Sequence, residues 1–429
     1  MIELQAVRGS DEHSSTSYQS LRRLTCAGQV IMDLPAYICH VSDTAEFNEL
    51  MSASPLVAEP VGVFTSLETL ADVRESVKRN SLRTLTSHVF ADPEPELLYS
   101  KSDGRVESWI RAVRSLSTVS FDRTIEREVL ALGGRRYNEG IMRLSESKQF
   151  WKFLEAITLA QASMGVDLVL PPVPVVDGSS AAVMELAFNV NSTFTSSFEQ
   201  SPLKPYGCAY YFVLDRSALK NSLFKVTLED YMFMNQSALA DSEKNPHVLF
   251  VKILGLEHLS PDEVFGLKDL IKTLNTVRKM NRLAVFLVDA GEVGLPLLCS
   301  GVDAFSERMP RPDQKGRRPY LWTGRSENVF GFVGFDSCVS LFERNGYAYP
   351  CSLPCCEHKQ GVHPEQTVLE SWNKECFSHF YNIRSTQLKV IRDELARGEE
   401  SSIPTALVSS VKGSKYLNWI DNPYAAKRA

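Results

Sequence analysis

Beyond residue 146 the chain settles into a repeating rhythm of amphipathic and continuously apolar stretches. KQFWKFLEAITLAQASMG has the spacing of a helix and runs into the apolar VDLVLPPVPVVDG. Further apolar runs follow at AYYFVLD, HVLFVKILGLE and RLAVFLVDAG, and the last leads through the short, Pro-broken VGLPLLCSG into VDAFSER. SPDEVFGLKDLIKTLNTVRKMN carries its own start signal: Ser260 as cap, Pro261 at the first helical position and Glu263 closing a capping box. Strands that are apolar throughout, separated by amphipathic helices, imply a parallel sheet buried on both faces. The expected architecture is therefore α/β, a (β/α)8 TIM-type barrel over residues 146–345. In such barrels the polar residues at the carboxyl ends of the strands form the active face, here Asp177, Asp215, Glu257, Asp289 and Asp303/Ser306.

The remaining segments read differently. Residues 1–20 are polar and Ser-rich and are expected to be a flexible arm. From 21 to 145, short apolar runs (VIMDLPAYICHV, PLVAEPVGVF) alternate with charged helical stretches such as FDRTIEREVLALGG, which suggests a separate N-terminal α/β extension. Residues 346–398 are expected to form a metal-binding subdomain, and 399–429 a polar tail with one apolar patch, YLNWI. At 429 residues, 44% hydrophobic and 23% charged, the composition is that of an ordinary globular protein. No leader-like segment opens the chain and no stretch approaches the roughly 18 apolar residues of a membrane span, so a cytoplasmic protein without a membrane partner is expected. The net charge of −6 means that any nucleic-acid partner must be held by a local basic surface.

Four of the nine cysteines, Cys351, Cys355, Cys356 and Cys376, fall close together and are interleaved with His358, His363 and His379. In a reducing compartment such clustering reads as metal binding before disulfides. Zinc takes four soft or borderline ligands in a tetrahedron, and Cys351, Cys355 and Cys356 with a distant helical His379 supply them. Cys376 and His379 share one face of a helix expected from about Gln366 to Leu395, and Cys338 and His358 are reserve ligands. The competing reading is of buried thiols and surface histidines without a metal.

The run from Gly294 to Arg311 (GLPLLCSGVDAFSERMPR) resembles the GxP…GVDxFD…PTR segment of the tRNA-guanine transglycosylase superfamily, with Gly301, Val302, Asp303, Phe305, Pro310 and Arg311 at matching places. Ile253-Leu254-Gly255-Leu256 followed by SPDEV resembles that family's GGL strand end and next helix. Cys351 and Cys356 have the separation of the first and third cysteines of its CxCxxC, and His379 is similar to its zinc histidine. The resemblance covers roughly residues 245–395. It implies exchange of a guanine in tRNA or DNA for a 7-deazaguanine base, a structural Zn2+, and pairing into a homodimer or heteromeric complex. A carboxylate would attack C1′ while a second acid protonates the departing base.

The family's nucleophilic Asp stands three residues after the Asp of GVD, a position held here by Ser306. A serine hydroxyl is a poor nucleophile without an adjacent base. Either Asp303 or Asp289 replaces it, or catalysis has been lost and the chain is a non-catalytic nucleic-acid-binding subunit; an unrelated barrel hydrolase is a third class. Asp177-Gly178-Ser179 resembles a rearranged DSG strand end, and Asp215 the carboxylate that reads the guanine amine, with turn formation or helix capping as the alternative for both. Leu254, Gly255 and Leu256 would offer backbone groups to the base. The basic stretch Arg308–Arg318, with Arg311, Lys315, Arg317 and Arg318, would neutralise phosphates beside an extruded nucleotide, flanked by Tyr320 and Trp322; a solvated loop is the alternative.

Overall fold

The computed structural model describes residues 2–6, 22–26, 29–53, 62–76, 88–100, 103–132, 136–200, 207–234, 248–256, 259–281, 283–299, 301–308, 320–323, 330–333, 340, 343, 354–359, 361–362, 365 and 376–396. Strands β1 (Ile2–Ala6), β2 (Arg22–Cys26) and β3 (Gln29–Leu34) form a small antiparallel sheet. The expected N-terminal arm therefore begins with a strand, because Ile2–Ala6 finds a hydrogen-bonding edge on β2.

The main sheet is built from β4 (Ala36–Val41), β5 (Gly62–Ser66), β6 (Val89–Asp92), β7 (Leu168–Val169), β8 (Val175–Val176), β9 (Gly207–Cys208), β10 (Tyr210–Asp215), β11 (Val248–Leu254), β12 (Ala284–Val288) and β13 (Ala304–Arg308). All its pairings are parallel, in the order β8-β10-β11-β12-β13-β4-β5-β6-β7-β9. The two ends of that order belong to the same two chain stretches. β7 and β8 are joined by residues 170–174, while β9 and β10 are separated only by Ala209, whose N–H donates to Val169 O at 3.0 Å. The sheet thus curls round towards its own other edge in a TIM-like α/β arrangement. A separate hairpin pairs β14 (Tyr320–Thr323) with β15 (Phe330–Val333).

The expected boundary at residue 145 does not divide this sheet. β4, β5 and β6 lie between β13 and β7, so residues 36–92 supply strands to the same layer as residues 168–308. Backbone hydrogen bonds across the seam, not a change of composition, make the connection.

Alternate side chains of each strand face opposite sides. Inside the curl, Phe64, Phe90 and Phe286 surround Phe250 with ring centroids 6.2, 5.5 and 4.9 Å away. Outside it, Phe212 packs on Phe188 of the helix Ala181–Gln200. The helix Pro261–Asn281 starts as its sequence demands: Ser260 N–H donates to Glu263 Oε2 at 2.8 Å and Glu263 N–H to Ser260 Oγ at 3.5 Å. The helix Cys376–Ala396 lies across the seam, its Arg384 gripping Glu307 of β13 at 2.7 and 3.0 Å and its Arg392 donating to the carbonyls of Asp33 and Pro35. Among the described residues no helix is long and apolar enough to cross a membrane.

Truncating Phe250→Ala removes the ring at the centre of the interior aromatic layer. It is expected to cost about 3–5 kcal/mol in urea unfolding; a loss below about 1 kcal/mol would show that this layer does not hold the sheet.

Candidate functional site

The polar layer above those rings is made by residues at the carboxyl ends of the strands. β11 reads VLFVKIL, and its single charged residue, Lys252, is 3% exposed. An ammonium there must be matched by nearby charge or carry a large desolvation cost. Its Nζ lies 2.5 Å from Asp92 Oδ2, in contact with Glu96 Oε1, and 3.4 Å from Asp289 Oδ2. Burial opposes the charge, but these three carboxylates outweigh it and hold the lysine pKa above its ordinary value. The amine therefore stays an ammonium, which disfavours a Schiff-base role and suits electrostatic stabilisation.

Asp289 is the second centre. It follows β12 with φ 53°, a left-handed conformation that costs energy at a residue with a Cβ. Strand β13 holds it there: Ser306 Oγ accepts the Asp289 N–H at 2.9 Å, and Ser306 O accepts the Ala290 N–H at 2.7 Å. Asp289 Oδ1 lies 2.5 Å from His40 Nδ1 and 3.2 Å from Arg308 Nε, and Oδ2 lies 3.0 Å from Arg308 Nη2. Burial works against its charge, yet His40, Lys252 and Arg308 outweigh burial and keep the carboxyl well below the usual range. Burial in turn lowers the His40 pKa, with Asp289 opposing only in part.

Across Lys252, the turn after β6 carries more carboxyls. Tyr211 Oη and the Glu94 N–H both donate to Asp92 Oδ1, at 3.1 and 2.9 Å. Glu94 has φ 49° and is buried, with Oε1 accepting from Arg105 Nη2 at 2.9 Å and Oε2 without a hydrogen-bond partner. Burial, aided by Asp92 and Glu96, pushes its pKa up to about 8. Burial also raises Glu96, with Lys252 opposing. One carboxyl whose pKa is lowered beside others whose pKa values are raised is the electrostatic pattern of an acid/base pair.

A cavity of about 250 Å³ opens here, lined by Lys252, Leu254, Gly255, Leu256, Asp289 and Arg308 among others. Gly255 has φ 74°, and a Cβ on it would stand 3.3 Å from Arg216 Cδ, so glycine serves both the turn and the close approach. The volume suits a small ligand or one ring system of a larger one.

Of the residues singled out in the sequence, Asp289, Leu254, Gly255 and Leu256 thus meet in one cavity. Asp303 does not. It precedes β13 at the opposite, amino end of the strands, where Oδ2 accepts from Val285 N–H at 2.9 Å and lies 3.1 Å from Arg278 Nε. Its expected place on the active face is corrected by one strand length: the Gly301 turn ends before the strand rather than after it. Ser306 is 1% exposed and serves Asp289 through its backbone amide. Asp177 and Asp215 are turn and cap formers: Asp177 Oδ1 accepts from Ser179 N and Oγ, and Asp215 Oδ1 from Ser217 N and Oγ. Arg311, Lys315, Arg317, Arg318, Glu257 and Cys351 lie outside the described residues, as do the side chains of Cys355, Tyr320 and Trp322.

Two of the donors named for the expected metal lie together. Cys356 Sγ lies 3.0 Å from His379 Nδ1, both buried, the histidine one turn into its helix. Across a tetrahedral zinc, a thiolate and an imidazole nitrogen stand about 3.5 Å apart, so this soft, borderline donor pair fits the ion. Among the described residues no group of three or more His, Cys, Asp or Glu is placed to hold a metal.

No protein-family model matches this chain, and no curated protein matches its sequence.

Lys252, Asp92, Glu96, Glu94 and His40 were not singled out in the sequence; for Lys252, Asp92 and His40 the signal was a lone charged or polar residue in a strand otherwise apolar, as in VLFVKIL, VFAD and AYICHV, whereas Glu94 and Glu96 follow β6 and carry no such signal.

Glu94 provides a test of the buried carboxyls. Its ordinary pKa of 4.5 becomes about 8 on folding. Below the lower value both states are protonated; between the two, the unfolded chain loses a proton that the folded chain keeps, so stability falls as pH rises. Glu94→Gln removes that fall. Melting curves from pH 4.5 to 8.5 are expected to show the variant gaining on the wild type as pH rises, and parallel curves would contradict it.

Proposed function

We propose that the chain is a guanine transglycosylase-like enzyme that exchanges a guanine for a 7-deazaguanine base in tRNA or DNA. The observation that carries this reading is the meeting of Asp289 with Leu254-Gly255-Leu256 in one cavity. The resemblance assigns the second of these to the base, and of the two carboxylates offered in place of Ser306, Asp303 and Asp289, Asp289 is the one that lines the cavity. Taking β7/β8 and β9/β10 as single staves, β4 to β13 make the eight staves of a (β/α)8 barrel, whose active face is the carboxyl end where this cavity opens.

In this reading Asp289 forms a bond to C1′ as the C1′–N bond to guanine breaks, and the electron pair leaves with the base, which takes a proton from Glu96. The incoming base returns a proton to Glu96 as its nitrogen displaces Asp289. Asp92 and Glu96 touch the same ammonium as Asp289, so their oxygens stand within about 6 Å of it, compatible with the ~5–5.5 Å carboxyl spacing of double-displacement glycosyl transfer. Lys252 keeps this cluster of carboxyls compact.

The structural zinc of this reading is held by Cys351, Cys355, Cys356 and His379, bracing the helix Cys376–Ala396 on the barrel seam. When bound, the ion supplies a fold constraint and no chemistry. Elemental analysis is expected to find one zinc per chain, lost together with thermal stability in Cys356→Ser; zinc retained in that variant would refute the ligand set.

A non-catalytic nucleic-acid-binding subunit is the second reading, favoured by the engagement of both Asp289 oxygens with cations. Incubation with guanine-containing tRNA or DNA and a 7-deazaguanine base, followed by nucleoside mass spectrometry, separates the two. The wild type is expected to incorporate the base, Asp289→Asn to lose about a thousandfold or more, and Asp303→Asn to lose stability but keep exchange. Polynucleotide binding without incorporation would select the subunit.

A further inference from the structure

The helices Ser222–Met234 and Pro261–Asn281 follow the paired parallel strands β10 and β11. They lie side by side on the outer flank of the curled sheet, where Lys225 Nζ of the first stands 3.7 Å from Asp269 Oδ2 of the second. Both bury one face, through Phe224, Leu228 and Met232 in the first and Leu267, Leu270 and Leu274 in the second. A helix packed on a sheet normally keeps polar residues on its opposite face. This pair departs from that rule: Phe265 is 70% exposed and Phe233 62%, and Leu223 and Val226 are about half exposed. Leu223, Val226 and Phe233 recur at helical spacing, so they form a stripe rather than scattered points. With Phe265 they present apolar surface on the order of 400 Å².

The charges along this face select its occupant. On the helix Pro261–Asn281 the exposed positions are Asp262, Phe265, Asp269, Lys272, Thr276 and Lys279, acidic in the first half and basic in the second. Laid antiparallel on its own copy, the stripe sets Asp262 opposite Lys279, Asp269 opposite Lys272 and Phe265 opposite Thr276, as a twofold interface requires. A partner of uniform charge would meet half of the stripe with like charge. The helix dipole accounts for Asp262 and Lys279 in the terminal turns, but not for the mid-helix Asp269 and Lys272 or the outward Phe265. The same rotation lays the helix Ser222–Met234 over its own copy, with its apolar stripe facing the partner's. The two helices offer a face roughly 20 Å wide and 20–30 Å long, in the size class of the ~800 Å² that each partner buries in a standard interface.

We propose that a second copy of this chain docks on this face, helix against antiparallel helix about a twofold axis, burying Phe265 and Phe233. The helix Cys376–Ala396, which grips β13, lies on a different flank and takes no part in it. Each outer helix runs counter to the strand before it, so antiparallel helices turn the two cavities to opposite ends of the dimer.

Analytical ultracentrifugation of the full chain between about 0.1 and 100 µM tests this. Wild type is expected to show a monomer–dimer equilibrium, which Phe265→Ser weakens about a hundredfold and Asp262→Lys or Lys279→Asp about tenfold. Asp262 and Lys279 stand roughly 25 Å apart along their own helix, too far to pair within one chain. Only contact across the twofold axis therefore lets the double variant Asp262→Lys/Lys279→Asp regain the dimer, or lets the two single variants form a heterodimer when mixed; both results are expected. A wild type that is monomeric at every concentration overturns the proposal, whether another segment of the chain or a different protein covers the face. A dimer indifferent to Phe265→Ser and to both charge reversals also overturns it, as does a loss in the single reversals that neither combination repairs.

Discussion

The carboxyl end of this sheet depends on one buried ammonium. Lys252 sits where apolar strands converge, and its charge is tolerable only because Asp92 and Glu96, at and just after the end of β6, and Asp289, just after β12, surround it. Each of those carboxylates is equally dependent on the lysine. Asp289 stays ionised there because His40, Lys252 and Arg308 outweigh its burial, whereas at Glu96 burial outweighs the lysine and raises the pKa. The consequence is a polar layer whose members are fixed in position before any ligand arrives, which is the condition for electrostatic preorganisation.

Strain is concentrated in the same layer. Glu94 and Asp289 are the non-glycine residues with positive φ among the described residues, and both lie just beyond strand ends that feed the cluster. Each is held by a hydrogen bond from its own N–H to a neighbouring side chain, Asp92 in one case and Ser306 in the other. Ser306 thus acquires a physical account that the nucleophile comparison alone would not provide: a small hydroxyl accepts an amide N–H that a strained strand end would otherwise leave unpaired. The helix carrying His379 also reaches this layer indirectly, since Arg384 grips Glu307, the residue between Ser306 and Arg308.

Much of the scaffold was legible from local pattern. The apolar runs around 210, 250, 285 and 305 are strands, and the Ser260–Glu263 start is realised as a capping box, because burial and capping act over a few residues and leave a local trace. Asp177 and Asp215 show the limit of such reading. A strand-end Asp followed two residues later by Ser looks the same whether it serves a ligand or its own turn, and here it closes the turn. Asp289 and Asp303 likewise each adjoin an apolar run, and only the register between β12 and β13 places them at opposite ends of the sheet.

The sequence by itself determined the α/β character, the parallel apolar strands, the helix starts and the place of Asp289 at a strand end, because each follows from residue type and short-range spacing; Leu254, Gly255 and Leu256 became candidates through the family resemblance. Only the tertiary structure decided that residues 36–92 share a sheet with residues 168–308, and that Lys252 meets a carboxylate 160 positions away. Pairing between parallel strands uses backbone groups that every residue possesses, and charge compensation acts through space. Neither writes its partner's address into the neighbouring residues.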